Sequence, residues 1–349
     1  MNRKQVLSWC LFDFANSSYS AVIAGVVFQV YYINRIVGNE SGRGDLWWGA
    51  AISASMLAVS LSSPFIGGIA DHAGVPKRML AVYTALCVLA VASFTFLDPG
   101  DALPGFLLIA LANIGMEGGL VFYNSYLPRI APPDHHGRVS AWGFGIGYAG
   151  SILSLMIALP FAQAGHFGAI WLMVACFFAV FSLPAFITLP RDDPTGTRAV
   201  DAALAGARQA WHTLREIWQR HEPRKFLIAY LIYEDGVNTV IVFSSSLAAT
   251  TFGFSQAELI SLYLVVQMTA LAGAFALAKP TDAWGPKKVV ILSLLLWSAV
   301  AVAAYLVQTK TGFWAVASIA GLGLGTVQAA TRAFYARFIP PGKEAEYFG

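Results

Sequence analysis

Asp13-x-x-Asn16-Ser17 and Asp235-x-x-Asn238-Thr239 place the same polar triplet inside two strongly apolar stretches of one chain. A carboxylate at a bilayer centre costs about 2.5–3.5 kcal/mol on insertion scales, so it marks a solute or ion path by default. On an α-helix, Asn16, Ser17, Ser20 and Ala24 share a face with Asp13, and Asn238, Thr239 and Ser246 share one with Asp235. Two further apolar stretches carry a polar face. One holds Asn113, Glu117 and Asn124; the other holds Gly321, Gly325, Gln328, Arg332 and Tyr335. Asp13, Glu117 and Asp235 have the chemistry to hold an amine or a coupling proton. The planar fork of Arg332 binds carboxylates bidentately. A zwitterionic solute needs both kinds of partner. The alternative for Asp13 and Asp235 is a structural helix–helix hydrogen bond near the cytoplasmic end, and for Arg332 it is snorkelling to that end. Glu117 is mid-span, which favours a functional role. Glu234 points to a different face from Asp235 and pairs elsewhere.

The elements that carry these residues follow from composition. Of 349 residues, 57% are hydrophobic and 12% charged, whereas soluble domains carry about 25% charged residues. Mean hydropathy is +0.62, which places the chain among polytopic membrane proteins. A crossing needs about 20 apolar residues, and ten segments qualify, near 6–33, 46–70, 79–97, 104–127, 139–161, 168–189, 226–252, 258–278, 289–308 and 312–335. The first is not a signal peptide, since Asp13 interrupts it and it runs too long. With the N-terminus inside, the outer loops hold only Arg35, Arg43 and Lys310 of the 22 basic residues. That asymmetry predicts cytoplasmic termini and suits an inner (plasma) membrane. Cys10, Cys87 and Cys176 lie in apolar stretches and read as buried small residues, without disulfide or zinc spacing.

Residues 190–225 form the one long polar stretch and separate a six-span bundle, 1–189, from a four-span bundle, 226–349. Within it Leu204, Ala207, Trp211, Leu214 and Trp218 recur at helical spacing. They predict an amphipathic helix on the cytoplasmic surface, either a solvated linker or a regulatory, partner-binding element. Three matches in the same order indicate a parallel repeat. Asp13…Ser17 pairs with Asp235…Thr239. Asp71-x-x-Gly74-x-x-Lys77-Arg78 pairs with Asp282-x-x-Gly285-x-Lys287-Lys288. Tyr126-Leu-Pro-Arg-Ile-Ala-Pro-Pro133 pairs with Tyr335-Ala-Arg-Phe-Ile-Pro-Pro341. By that symmetry two more spans are expected beyond Gly349, so the chain reads as cut short after the tenth. In the two short loops, Asp71 and Asp282 suit a helix N-terminus and Gly74 and Gly285 permit tight turns. Lys77, Arg78, Lys287 and Lys288 either anchor to headgroups or carboxylates or serve only positive-inside topology.

These loops resemble the gating loops of the major facilitator superfamily. Trp9-Cys-Leu-Phe-Asp13-Phe-Ala-Asn16-Ser-Ser-Tyr19 is more specific and resembles the opening of its vacuole-effluxer-like branch, which includes fungal autophagy-related vacuolar amino-acid exporters and bacterial permeases. Tyr123-Asn124-Ser125-Tyr126-Leu127-Pro128, Tyr233-Glu234-Asp235-Gly236 and Ile339-Pro-Pro-Gly-Lys-Glu344 are similar to it as well. The resemblance implies an all-α, two-bundle fold of twelve spans, with spans one, four, seven and ten lining a central cavity. It implies a secondary transporter that moves a small polar solute, amino acids included, by alternating access and with a coupling proton or other ion. It also implies that Asp71 caps the eleventh span, a partner this chain is expected to lack. The missing spans keep a second reading open, a permease that no longer transports and acts as a receptor or partner subunit.

Three other patterns are set aside. Gly143-x-Gly-x-Gly-x-x-Gly150 follows no strand and sits in an apolar span, so it reads as close helix packing rather than a nucleotide loop. Asp134-His135-His136 lacks further metal ligands and reads as a solvated turn. There is no Walker lysine motif and no nucleophile–base constellation, so no enzyme, metal, cofactor or nucleic-acid partner is expected.

Overall fold

The computed structural model describes the backbone of residues 1–195 and 199–349, and their side chains except at 199–202, 242, 243, 245, 246, 249, 250, 256 and 257. Ser246, expected beside Asp235, lies outside the described side chains. The described residues form helices and connecting turns. Helices suit the composition, because each one satisfies its own backbone polar groups where lipid offers no partner. Among the described residues, nine helices are long and apolar enough to cross a membrane. They are Arg3–Val37, Arg43–Ala73, Pro76–Phe96, Ala102–Ile130, Pro133–Gln163, Phe167–Thr188, Glu258–Trp284, Pro286–Leu306 and Lys310–Ala336. The expected seventh span, near 226–252, falls within the 32-residue helix His221–Phe252, which is not among those nine; six of its side chains are outside the description.

The two Asp-x-x-Gly loops end their helices by backbone geometry. Gly74 closes the second helix with φ 68°, and Gly285 precedes the ninth with φ 90°. Pro76 and Pro286 then start the next helices, where the missing N–H is harmless. The first span departs from a regular helix. It is α-helical over Arg3–Ser18 and π-helical over Tyr19–Val26. The wider i→i+5 register rotates later side chains away from the expected face. Asp13 and Asn16 are buried, Ser17 and Ala24 half-buried and Ser20 exposed.

The chain divides into two compact units. One comprises Met1–Ile130, Gly150–Leu214 and Ile339–Gly349; the other comprises Ala131–Ala149 and Arg215–Phe338. In the first, Trp9 and Phe12 stack on Tyr123 at 4.5 and 5.2 Å, and Phe28 stacks on Phe94 at 3.9 Å. In the second, Val237, Trp297, Val300 and Val327 form a buried cluster, and Gly321 and Gly325 bring the tenth helix onto Thr269 and Ala270. The glycine run in the fifth helix packs as expected, Gly150 against the Phe14 backbone and Gly145 against the Phe275 ring. The linker is helical over Ala199–Gln219. Cys10 and Cys87 are buried, but Cys176 is exposed; it lies on an outward face of an apolar helix, where lipid takes the place of protein neighbours. His136 is also not a solvated residue. It is buried, with Nε2 3.0 Å from the Ala131 carbonyl.

Candidate functional site

In the first unit the polar residues of the first, second and fourth spans come together. Tyr123 donates its hydroxyl to Asp13 Oδ2 at 3.0 Å, and Ser17 Oγ donates to the Asp13 carbonyl at 2.7 Å. Asn113 Nδ2 donates to Ser55 Oγ at 2.9 Å, and Tyr19 OH donates to Asn113 Oδ1 at 3.5 Å. Asn16 is buried, and its Nδ2 has no partner among the described residues. An orphan buried donor costs about 1–3 kcal/mol, so such a group is suited to meeting a ligand or water. Glu117 is half-buried one turn beyond Asn113, within electrostatic reach of Tyr19 and Cys87. Asn124 is half-buried near the end of the same helix.

In the second unit the matching triplet is arranged differently. Asp235, Asn238 and Thr239 are exposed, and Glu234 is half-buried and hydrogen-bonded to Asn238. Tyr233 shares a 2.7 Å hydrogen bond with Thr331 Oγ1 and does not shield Asp235 as Tyr123 shields Asp13. Tyr148 donates to Gln328 Oε1 at 2.6 Å. Arg332 does not snorkel. It is 7% exposed, and it donates through Nε to Ser140 Oγ at 2.9 Å and through Nη2 to the Ser140 carbonyl at 2.8 Å. Its guanidinium lies 4.0 Å from the centre of the Phe144 ring. A planar cation with a fixed fork can make these contacts together, and a lysine cannot.

The two loop aspartates do equivalent work. Asp71 was expected to lack the eleventh span as a partner; it caps a short helix instead. Asp71 Oδ2 accepts the Glu346 backbone N–H at 2.9 Å, in the first turn of the helix Glu344–Phe348. The first N–H groups of a helix have no internal acceptor, and a carboxylate complements the positive end of its dipole. Arg129 Nη2 bridges Asp71 Oδ1 at 3.1 Å and Glu344 Oε2 at 2.7 Å. In the second unit, Asp282 Oδ1 accepts the Arg138 N–H at 3.1 Å at the start of the fifth helix, with Arg138 Nε 3.4 Å from Oδ2. Lys77 Nζ donates to the Leu189 carbonyl at 2.8 Å; Arg78 and Lys287 are exposed.

Sequence reasoning missed several partners. Tyr123, Ser140 and Tyr148 hold Asp13, Arg332 and Gln328. Asp192 accepts the Lys77 and Arg78 N–H groups at 2.8 and 3.0 Å, capping the third helix. Glu344 completes the Arg129 bridge. Tyr123 and Tyr148 stand inside motifs already singled out, and the Pro190-Arg-Asp-Asp-Pro194 opening of the linker was the available signal for Asp192.

An all-α chain of membrane-length helices with paired aspartate caps and carboxylates inside spans is an integral membrane protein of the transporter class. The fold is that of the major facilitator superfamily. Over 98% of this chain and 87% of the other, it resembles the crystal structure of the E. coli fucose:proton symporter FucP (N162A) with a TM-score of 0.71 at 12% identity. It also resembles the human organic anion transporter MFSD10 (TETRAN) with a TM-score of 0.69 at 13% identity, over 99% and 88% of the two chains. Residues 50–349 match the family described as "Vacuole effluxer Atg22 like", and the chain belongs to that family. Among its relatives, an uncharacterized MFS-type transporter, YxiO, from Bacillus subtilis (strain 168) is 27% identical over 99% of this chain and 83% of its own length. Autophagy-related protein 22 of Coccidioides immitis (strain RS) is 23% identical over 84% of this chain, which spans 62% of that relative.

Proposed function

We propose that this protein is a secondary transporter that moves a small polar solute bearing an amine, amino acids among them, by alternating access. Family and fold support the class. The chemistry of the solute rests on Glu117 and Asp235. Among the described residues, Asp71, Asp282 and Glu344 all take arginine partners, whereas Glu117 and Asp235 stand inside spans with no ion pair. A carboxylate kept inside a membrane without a fixed counter-ion is suited to an amine or to a coupling proton. Asn16, Asn238 and Thr239 supply further hydrogen-bonding groups on the same spans as Asp13 and Asp235. Arg332 and Gln328, held by Ser140 and Tyr148, act here in shaping the tenth span.

The repeat supports a division into 1–189, a linker 190–225 and 226–349, and the asymmetry of the basic residues supports cytoplasmic termini in a bacterial inner membrane. The test is a thermal-shift screen of the purified chain against amino acids, amines, sugars and organic anions. Amine-bearing zwitterions should raise the unfolding temperature, and Asp235→Asn should abolish that rise. A rise produced only by sugars or organic anions would overturn the assignment of the solute.

A further inference from the structure

The linker helix Ala199–Gln219 carries two apolar faces, and protein covers only one. Gly206, Ala210, Thr213 and Ile217 are buried. A Cβ on Gly206 would meet the backbone of Gly68 and Ile69, and Thr213 Oγ1 accepts a hydrogen bond from Lys343 Nζ at 3.1 Å. This face therefore rests on the last turns of the second span, beside the Asp71 cap. Elsewhere around the helix, Leu204, Trp211, Leu214 and Trp218 recur at spacings of three, four and seven and are exposed, Trp211 to 64% and Trp218 to 62%. Arg208 and Arg215 lie two turns apart along the edge of this stripe and are also exposed. Arg220 follows at the end of this helix and Arg224 and Lys225 begin the next, against Asp201, Glu216 and Glu222 over the same stretch.

We infer that the Leu204–Trp218 face docks on an anionic phospholipid surface, that of the bilayer which the flanking helices enter. Three observations favour this occupant. The stripe pairs indole rings, which settle at the membrane–water boundary, with arginines, which pair with anionic headgroups. Its length and two-faced pattern are those of a helix lying in the interface plane. Its buried face is fixed to the end of a membrane-length helix, and the sixth span ends at Thr188 while the next long helix begins at His221, so the stripe is held at the depth of the headgroups. Anionic lipid would then bear on the linker helix and, through Gly68 and Lys343, on the turn that Asp71 caps.

The test uses the full chain with Cys176→Ser, spin-labelled at Leu204→Cys or Leu214→Cys, which leaves both tryptophans in place. It is reconstituted into vesicles of phosphatidylcholine, with or without phosphatidylglycerol. At both sites, collisions with oxygen should exceed those with a water-soluble nickel chelate. The excess should grow when phosphatidylglycerol is present, and Arg208→Gln/Arg215→Gln should remove that growth. Chelate collisions that dominate in both vesicles would show a solvated linker and overturn the inference. Protection from both reagents that disappears on dilution of the protein would assign the face to a second copy and overturn it equally.

Discussion

The Asp71 carboxylate accepts the Glu346 backbone N–H at 2.9 Å, as Asp282 accepts that of Arg138 at 3.1 Å. In the repeat that matches Tyr126…Pro133 with Tyr335…Pro341, Glu346 follows Arg337 at the distance at which Arg138 follows Arg129. The two aspartates therefore cap equivalent backbone positions, each in its own unit. Asp71 carries the further Arg129–Glu344 bridge, while Asp282 pairs with the side chain of the residue it caps.

Asp71→Ala should lower the unfolding temperature of the purified chain. A lost helix cap costs about 0.5–2 kcal/mol, and of its two carboxylate partners Arg129 would keep Glu344. Lys288→Ala, which removes an exposed charge, should change stability little. Fluorescence-detected unfolding in detergent measures both, and equal midpoints for Asp71→Ala and the unaltered chain would contradict the cap.

Arg332 and Ser140 should behave as one unit. Arg332→Lys loses the fork and the stacking on Phe144, so stability should fall despite the retained charge. In a double-mutant cycle, Ser140→Ala should add little once Arg332 is replaced, with a coupling of about 0.5–3 kcal/mol. Strict additivity would contradict the contact.

The two repeat carboxylates should separate by readout. Tyr123→Phe removes the donor to buried Asp13 and should destabilise the protein by about 1–3 kcal/mol. Asp235→Asn, at an exposed position, should leave the unfolding temperature unchanged and affect only solute handling. The reverse pattern would assign the roles the other way.

Gly74→Ala should be more damaging than Gly285→Ala. Both replace a glycine at positive φ, which strains an L-residue, but at Gly74 the new Cβ would also meet the Asp193 carbonyl, whereas at Gly285 nothing lies within 4 Å. Expression level and unfolding temperature of the two variants compare them directly.

Much of this was legible in the residues because membrane chemistry leaves few choices. Apolar runs of sufficient length must be helices, and the repeated Asp-x-x-Gly loops must turn at their glycines. The sequence did not reveal the partners. Whether Asp13 is shielded depends on Tyr123, 110 residues away, and the capping of Asp71 depends on Glu346, 275 residues away. Ideal α-helical periodicity also ends at Ser18, where the π-helical register begins. For Arg332 the sequence left snorkelling open as an alternative for a similar reason. Its nearness to a helix end suggested water, while Ser140 and Phe144 offered a closer partner.

The most direct test of the transport account is counterflow. The full chain is reconstituted in liposomes preloaded with unlabelled amino acids, and uptake of a labelled one is followed. The account predicts exchange by the unaltered chain and its loss in both Glu117→Gln and Asp235→Asn, with unfolding temperatures unchanged. Normal exchange in both variants would contradict the role given to the two carboxylates.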